Sequence, residues 1–304
     1  MILRKYPESI SNLNNKNFIV HFTTKGFELN NHVSPLSIKC SMKGEENYKT
    51  SVGIYRVTTG KYLIVNEGQD CSSQIENEAE TFSLYFDSKF SNEALQSLMT
   101  PSDKLLNVSF YPSRQPVHFF EKLYLHNNIL SPTLMKLRLA SKVNYDDECW
   151  IKEQFYDVLE KLLIVHRDLY KEIDKLPSIK FSTKTELYKR VCNAKEFIDS
   201  SFTTSISLET ISKEACLSQY HFLRLFKTIF KITPHQYIIK KRLEKASHLL
   251  MRTDLPVTDI CFDIGFESLS TFSWMFKKKF GISPDPFRCE YHKYIYKNKI
   301  LTTD

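Results

Sequence analysis

The feature that most constrains this chain is a pattern of residues that occurs twice between Ser207 and Phe287. The first copy contains Leu208, Ile211, Ala215, Leu217, Ser218, Phe222, Leu225, Phe226, Lys227, Phe230, Ile232, Thr233 and Pro234. The second copy contains similar residue types in the same order, namely Val257, Ile260, Ile264, Phe266, Ser268, Phe272, Met275, Phe276, Lys277, Phe280, Ile282, Ser283 and Pro284. The offset is 49 residues before a turn and 50 residues after it. Such repetition indicates one structural unit that is used twice.

Each copy has the periodicity of two short helices joined by a tight turn. Apolar residues recur at i, i+3 and i+7 before the turn and at i, i+3, i+4 and i+8 after it. Ser218 and Ser268 stand where an N-cap would begin the second helix. The pattern therefore predicts two helix-turn-helix units, in which the second helix is shaped for the major groove of DNA.

The outward faces of these second helices are the predicted DNA-binding surface. With the phenylalanines turned inward, the side chains left to face DNA are Gln219, Tyr220, Leu223, Arg224, Lys227 and Thr228 in the first copy, and Leu269, Ser270, Ser273, Trp274, Lys277 and Lys278 in the second. An alternative for Trp274 is that it packs over its own helix, because a large indole seldom stays fully exposed.

A longer helix joins the two copies. Thr233 to Gln236 forms a capping box with Pro at the first helical position, and Asp254 to Pro256 ends the helix. About eighteen helical residues span roughly 27 Å. Successive major grooves on one face of DNA are roughly 34 Å apart. Because the two lengths are similar, we expect this helix to hold both second helices within reach of successive grooves.

Positive charge is concentrated in the same region. Residues 185–304 contain 19 Lys and Arg against 13 Asp and Glu, whereas residues 1–184 contain 23 against 22. Solvated lysines are common on any protein surface, but a basic excess on a helix-turn-helix favours phosphate binding.

Three segments of this region resemble the DNA-binding domain of the AraC/XylS-type transcription regulators: Ser218–Lys227 (SQYHFLRLFK), Arg242–Leu250 (RLEKASHLL) and Asp259–Arg288 (DICFDIGFESLSTFSWMFKKKFGISPDPFR). The resemblance implies a seven-helix bundle, double-stranded DNA and RNA polymerase as partners, and a base contact at Arg224.

The family commonly has Arg where this chain has Trp274. The second helix is therefore expected to discriminate less by hydrogen bonds, since an indole offers one donor and apolar contact to a thymine methyl, and to use Lys277 and Lys278 for phosphates.

Short strand patterns dominate residues 18–90. Ile38, Cys40 and Met42 alternate with polar residues, and further β-rich runs are Val52–Val57, Tyr62–Val65 and Phe82–Phe86. Several short strands separated by turns predict a small barrel or sandwich. The segment from 55 to 86 resembles the cupin-like N-terminal domains of many regulators of this family, which implies a domain that senses a small molecule or pairs subunits.

No sequence motif in the N-terminal region indicates catalysis or metal binding. The histidines and Cys40 show no HxH or other ligand spacing, and no nucleophile elbow or phosphate-binding glycine loop is present. We therefore expect no catalytic residue, no metal and no cofactor. The alternative is a cupin-like enzyme with a DNA-tethering module. The seven scattered cysteines are expected to be reduced thiols, with Cys216 and Cys261 on buried helix faces.

A long helix is predicted from Asp146 to Leu176. Its apolar residues follow a heptad-like spacing: Ile151, Phe155, Val158, Leu162, Val165 and Leu169. Leu159 and Leu163 broaden this stripe, so the helix could pack on its own domain. The family resemblance, in which such helices pair subunits, favours a homodimer with Val158 and Leu162 in the contact.

Together these observations predict an α+β chain with a cupin-like β-rich domain (1–143), a helical connector (144–176), a linker (177–184), an all-α DNA-binding domain with two helix-turn-helix units (185–290) and a tail (291–304). The predicted function is sequence-specific transcription regulation with a small-molecule effector. A ligand-independent regulator controlled by a protein partner is the alternative. The start of the chain is polar and no apolar run approaches ~18 residues, which predicts a soluble, cytoplasmic, nucleoid-associated bacterial protein without a membrane partner.

Overall fold

The computed structural model describes residues 1–6, 16–99, 118–143, 145, 147–177 and 180–291. The chain divides into two compact units, Met1–Lys171 and Glu172–Asp304. Most of the predicted tail, 291–304, lies outside the described residues. Within the described residues, no helix is long and apolar enough to cross a membrane.

The N-terminal unit is built on two β-sheets, which confirms the predicted α+β class. Its strands are β1 (Ile2–Leu3), β2 (Phe18–Thr24), β3 (Phe27–Ser34), β4 (Ser37–Lys43), β5 (Glu45–Thr50), β6 (Ile54–Thr58), β7 (Lys61–Val65), β8 (Gln69–Ile75), β9 (Ala79–Tyr85) and β10 (Leu123–Leu125). The six-stranded sheet has the order β1-β2-β9-β4-β7-β10, and the four-stranded sheet has the order β3-β8-β5-β6. Only the β1–β2 pair is parallel among the described pairings.

The central strands of the six-stranded sheet are buried on both faces, despite their alternation of apolar and polar residues. In β4 the side chains of Ile38 and Cys40 are buried, and so are those of Lys39 and Ser41 between them. Alternation usually indicates one solvated face. Here it separates an apolar layer from a polar layer, and water is excluded from both.

Three helices complete the N-terminal unit: α1 (Ser88–Met99), α2 (Ser131–Lys142) and most of α3 (Glu148–Asp174). Helix α2 is attached to the six-stranded sheet by polar contacts. The Arg138 guanidinium donates to Glu80 Oε1 at 2.7 Å, and His21 Nε2 lies 2.9 Å from the same oxygen. Burial alone would raise the pKa of Glu80, but the hydrogen bonds from His21 and Arg138 lower that pKa to about 2.

The predicted seam of α3 is the side of the helix that packs inside its own unit. Phe155, Val158, Leu159 and Leu162 are all fully buried in the single chain, and the Phe155 ring lies 5.0 Å from that of Phe86 in an edge-on contact. The expectation that Val158 and Leu162 pair two subunits is therefore wrong, because these side chains have no surface left to offer. Leu159 and Leu163 make the apolar stripe wider than a coiled-coil seam, as in an ordinary core helix.

The C-terminal unit contains α4 (Phe181–Ser201), α5 (Leu208–Glu214), α6 (Gln219–Phe230), α7 (Pro234–Arg252), α8 (Val257–Asp263) and α9 (Leu269–Phe280). Helix α4 begins inside the stretch that we predicted as a linker. Lys184 in its first turn donates from its ammonium to Asp174 at 2.7 Å. The second repeat builds its own core from residues of α7, α8, α9 and the turn between α8 and α9: Leu243, Ala246, Leu250, Ile260, Cys261, Ile264, Phe266, Phe272 and Phe276.

The two repeats share one turn geometry. The turn residue has a positive φ in both, +49° at Cys216 and +91° at Gly265, and the additional residue of the second repeat, Glu267, precedes the N-cap. The expectation that Cys216 is buried is wrong, since the left-handed backbone turns its side chain to solvent. Cys261, which lies within helix α8, is buried as predicted.

Candidate nucleic-acid interface

Each second helix begins at its predicted N-cap. The Ser218 hydroxyl accepts from the backbone N–H of His221 at 3.4 Å, and the Ser268 hydroxyl accepts from that of Thr271 at 3.4 Å. Each helix ends at a residue with left-handed backbone, Lys231 or Gly281. Both α6 and α9 are thus twelve-residue helices with defined ends, which fixes the direction of their side chains.

Helix α6 separates its residues into a core face and an outer face. Phe222, Leu225 and Phe226 are fully buried, while Gln219, Arg224 and Lys227 are exposed and the Tyr220 side chain is 78% exposed. Leu223 and Thr228 are half-buried. The Thr228 hydroxyl donates to the Arg224 carbonyl at 2.8 Å, so its proton is already used within the helix.

Helix α9 presents a comparable outer face with different chemistry. Of its predicted DNA-facing side chains, Ser273 is half-buried and the others are exposed, namely Leu269, Ser270, Trp274, Lys277 and Lys278. The Trp274 side chain is 60% exposed, and the Lys278 ammonium lies 4.9 Å from the centre of its ring. The indole is therefore not part of the core, but it contacts Lys278 of its own helix.

The basic side chains of these faces carry uncompensated charge. Arg224, Lys227, Lys277 and Lys278 form no ion pair with any of the described residues. By contrast, Lys213 in α5 is paired with Glu209 at 2.7 Å. Cations that are not neutralised by their own protein are available for the phosphates of a nucleic acid.

Helix α7 supports both repeats as a rigid rod. Its capping box is formed as predicted: the Thr233 backbone N–H donates to Gln236 Oε1 at 2.9 Å, and the Gln236 backbone N–H donates to Thr233 Oγ1 at 3.2 Å. Toward α4, the Tyr237 hydroxyl donates to the Asp199 carboxylate at 2.6 Å, and the Lys195 ammonium donates to the same carboxylate at 2.9 Å.

Arg242 of α7 joins two backbone segments of the C-terminal unit, the loop after α4 and the turn before α9. Its guanidinium donates to the carbonyls of Phe202 at 2.6 Å, Gly265 at 2.6 Å and Thr204 at 2.8 Å. Gly265 is required at this point, because a Cβ there would lie 2.5 Å from the Thr203 carbonyl oxygen. Sequence reasoning placed Arg242 in a motif but gave it no role. The sequence feature that could have indicated its role is the position of this arginine on the buried side of an otherwise apolar stripe.

Metal chemistry finds no support in the described part of the chain, where no three His, Cys, Asp or Glu side chains come together in a way that could hold an ion. The geometry instead defines a class: two capped helix-turn-helix units on a common rod, with unpaired cations on the outer faces, belong to a DNA-binding transcription regulator.

Comparison with known proteins leads to the same class. A helix-turn-helix domain family matches residues 211–289. The regulatory protein SoxS of Salmonella typhimurium is 31% identical over 93 residues, which cover 31% of this chain and 87% of SoxS. The chain belongs to the AraC/XylS-type family of transcription regulators.

Other relatives match over the same region. The probable transcriptional regulator LumQ of Photobacterium leiognathi is 36% identical over 92 residues, which cover 30% of this chain and 37% of LumQ. A solved transcriptional regulator with an AraC-type DNA-binding domain from Chromobacterium violaceum aligns with a TM-score of 0.33 and 25% identity, over 34% of this chain and 93% of that chain. The match to LumQ thus spans well under two thirds of that protein.

Proposed function

We propose that this chain regulates transcription by inserting α6 and α9 into two successive major grooves of one DNA site. The observation that carries this proposal is the pair of matched outer faces, each with cations that form no ion pair with an acidic side chain in the described part of the chain. In this proposal Arg224, which is exposed on the outer face of α6, makes the bidentate contact to guanine that an arginine favours. Lys227, Lys277 and Lys278 are placed for phosphates, which fix position without reading sequence.

The remaining exposed side chains divide between the two helices by chemistry. Gln219 and Tyr220 of α6 can add hydrogen bonds to bases or backbone. On α9, Leu269 and Trp274 offer apolar contact to thymine methyl groups, and Ser270 and Ser273 offer short hydroxyls. We infer that α6 supplies most of the hydrogen-bonded specificity and that α9 prefers thymine-containing steps.

Arg224→Ala tests the division between base contacts and phosphate contacts. We expect it to weaken binding to the preferred operator by about 1 to 3 kcal/mol and to relax base preference at one position. Lys227→Ala, on the same helix face, is the matched control and is expected to weaken binding uniformly and to reduce the salt dependence. Binding is measured over all single substitutions of an operator selected from random DNA. Uniform weakening by Arg224→Ala, with no relaxed position, would assign Arg224 to a phosphate.

We further propose the DNA-binding domain as a separable unit. A boundary at residue 185, as predicted from the sequence, would cut α4. The fragment therefore begins at Glu172, whose carboxylate accepts from the Tyr188 hydroxyl at 3.2 Å. The fragment 172–304 is expected to be helical and to bind operator DNA with an affinity that falls steeply with salt. Circular dichroism and binding titrations at several salt concentrations check this. An unfolded fragment, or one that binds without salt dependence, contradicts the proposal.

For the N-terminal unit we propose a small-molecule effector site in the polar interior between the sheets. Lys39 is 1% exposed and Glu46 is 3% exposed. The Lys39 ammonium lies 3.7 Å from the centre of the Tyr85 ring, and burial lowers the pKa of Lys39 to about 8. Burial also raises the pKa of Glu46, although the hydroxyls of Tyr48, Ser73 and Thr81 act against this, and its Oε2 has no hydrogen-bond partner.

Replacing both charges tests this effector site. Buried charges usually cost stability compared with apolar groups of similar size. If Lys39 and Glu46 serve a ligand, Lys39→Met with Glu46→Gln should keep or raise the thermal stability of the protein while removing its stabilisation by fractions of a metabolite extract. Differential scanning calorimetry measures both. Loss of stability without any change in ligand response would assign the two residues to folding.

The alternative is a regulator that answers to a protein partner or to its own concentration. The observation that favours it is an exposed apolar stripe formed by Met135 and Leu139 on one side of α2 and by Val143 at its C-cap. A homodimer through this stripe, and recruitment of RNA polymerase by the DNA-bound chain, are proposals that light scattering and transcription with purified polymerase can test.

A further inference from the structure

A cleft of about 290 Å³ lies between the rod α7 and the second recognition helix α9. Its apolar walls are Ile239 and Leu243 from the rod and Trp274 and Met275 from α9. Its remaining lining residues are polar or basic: Gln236, Lys240, Lys278 and Lys279. The volume is at the lower end of the range for small-molecule sites.

The charged side chains that line this cleft are all basic. None of its lining residues is acidic. The Lys279 ammonium is occupied, because it donates to the Lys240 carbonyl at 3.2 Å and to the Glu244 carboxylate at 3.1 Å. Lys240 and Lys278 form no ion pair with the described residues. Two available ammonium groups therefore border an apolar surface.

The apolar surface is itself incompletely covered. Trp274 is 60% exposed, although a large indole gains from losing contact with water. The first repeat has Arg224 at the equivalent position, so the fold of the unit does not depend on an indole there. A flat apolar body against Trp274 and Met275 would bury this surface, and an attached anion would meet the free lysines.

We propose that the cleft binds a small amphipathic anion, such as an aromatic carboxylate, with its ring against Trp274 and its carboxylate on Lys278 and Lys240. Trp274 and Lys278 are also the side chains that α9 offers to DNA under the proposed function. An occupied cleft therefore competes with insertion of α9 into its groove, and the ligand releases the protein from its operator.

The test uses the full-length protein labelled with fluorotryptophan, because the chain contains 2 tryptophans. Trp150→Phe assigns the fluorine NMR signal of Trp274. Titration with naphthoate is expected to shift the Trp274 signal saturably and to leave that of Trp150 unchanged. Naphthamide, which has the same ring without the charge, should bind roughly 10-fold more weakly, since charged hydrogen bonds are the stronger ones.

Two lysine variants separate the cleft from general basic charge. Lys278→Gln is expected to weaken naphthoate binding roughly 10-fold, while Lys227→Gln, with the same charge change on α6, leaves it unaltered. No saturable shift of Trp274, or equal weakening by both variants, overturns the site. Operator titrations with and without naphthoate are read separately. Binding of naphthoate without competition would leave the cleft in place and refute the proposed position of α9 on DNA.

Discussion

Val158→Asp is expected to unfold the N-terminal unit and not to separate subunits. Val158 is fully buried among the apolar residues of its own unit. An aspartate there would carry an unpaired charge in an apolar core, which costs more than about 4 kcal/mol of folding free energy. Calorimetry should show loss of the N-terminal transition while the C-terminal unit still melts cooperatively.

Tyr156→Asp is the matched control, because Tyr156 lies on the solvent side of the same helix. It adds the same charge at a side chain that is 37% exposed, and is expected to cost much less stability than Val158→Asp and to leave the N-terminal transition in place. A Val158→Asp protein that remains folded and has half the mass of the wild type in light scattering would restore the subunit contact predicted from the heptad pattern.

Arg242→Ala is expected to destabilise the C-terminal unit by about 3 kcal/mol. The substitution removes a charged group that donates to three backbone carbonyls. The bonds to Phe202 and Gly265 are partly buried, so their loss costs more than that of an exposed bond. Because one of the three carbonyls belongs to Gly265 in the turn before α9, DNA affinity should fall together with stability. Thermal unfolding of the fragment 172–304 measures the first effect and operator binding the second.

Two further variants define the contribution of the guanidinium. Arg242→Lys keeps the charge but cannot reach three diverging carbonyls at once, and is expected to recover less than half of the lost stability. Arg252→Ala removes an exposed arginine from the last turn of the same helix and should be nearly silent. Equal effects of Arg242→Ala and Arg252→Ala would show that the three hydrogen bonds do not hold the unit together.

The local features of the C-terminal unit were predictable because they depend on neighbours in sequence. The N-caps at Ser218 and Ser268 and the capping box at Thr233 are formed as predicted. Each requires only a suitable side chain three residues from an unpaired backbone N–H. The exposed and buried faces of α6 and α9 follow from helical periodicity in the same way.

The errors arose where a distant segment decides burial. The stripe of α3 has nearly the spacing of a coiled coil, and only its contact with residues such as Phe86 shows that it faces its own unit. Lys39 lies in an alternating strand that sequence reasoning cannot distinguish from a half-solvated one. Cys216 fits a helical pattern, but a positive φ turns it outward. Local periodicity predicts neither the packing partner of α3, nor the burial of Lys39, nor the backbone conformation at Cys216.

If α6 and α9 bind successive grooves as proposed, the rod α7 makes the binding of the second helix an intramolecular step once the first helix is bound. It contains 19 residues and is therefore roughly 28 Å long. Once α6 is seated, α9 is held beside the next groove at an effective concentration on the order of millimolar or above, as for short tethers. An unsymmetrical site then suffices for one chain. Moving its two halves apart by about 5 base pairs, half a helical turn, would place the second half beyond the reach of a tether that cannot bend.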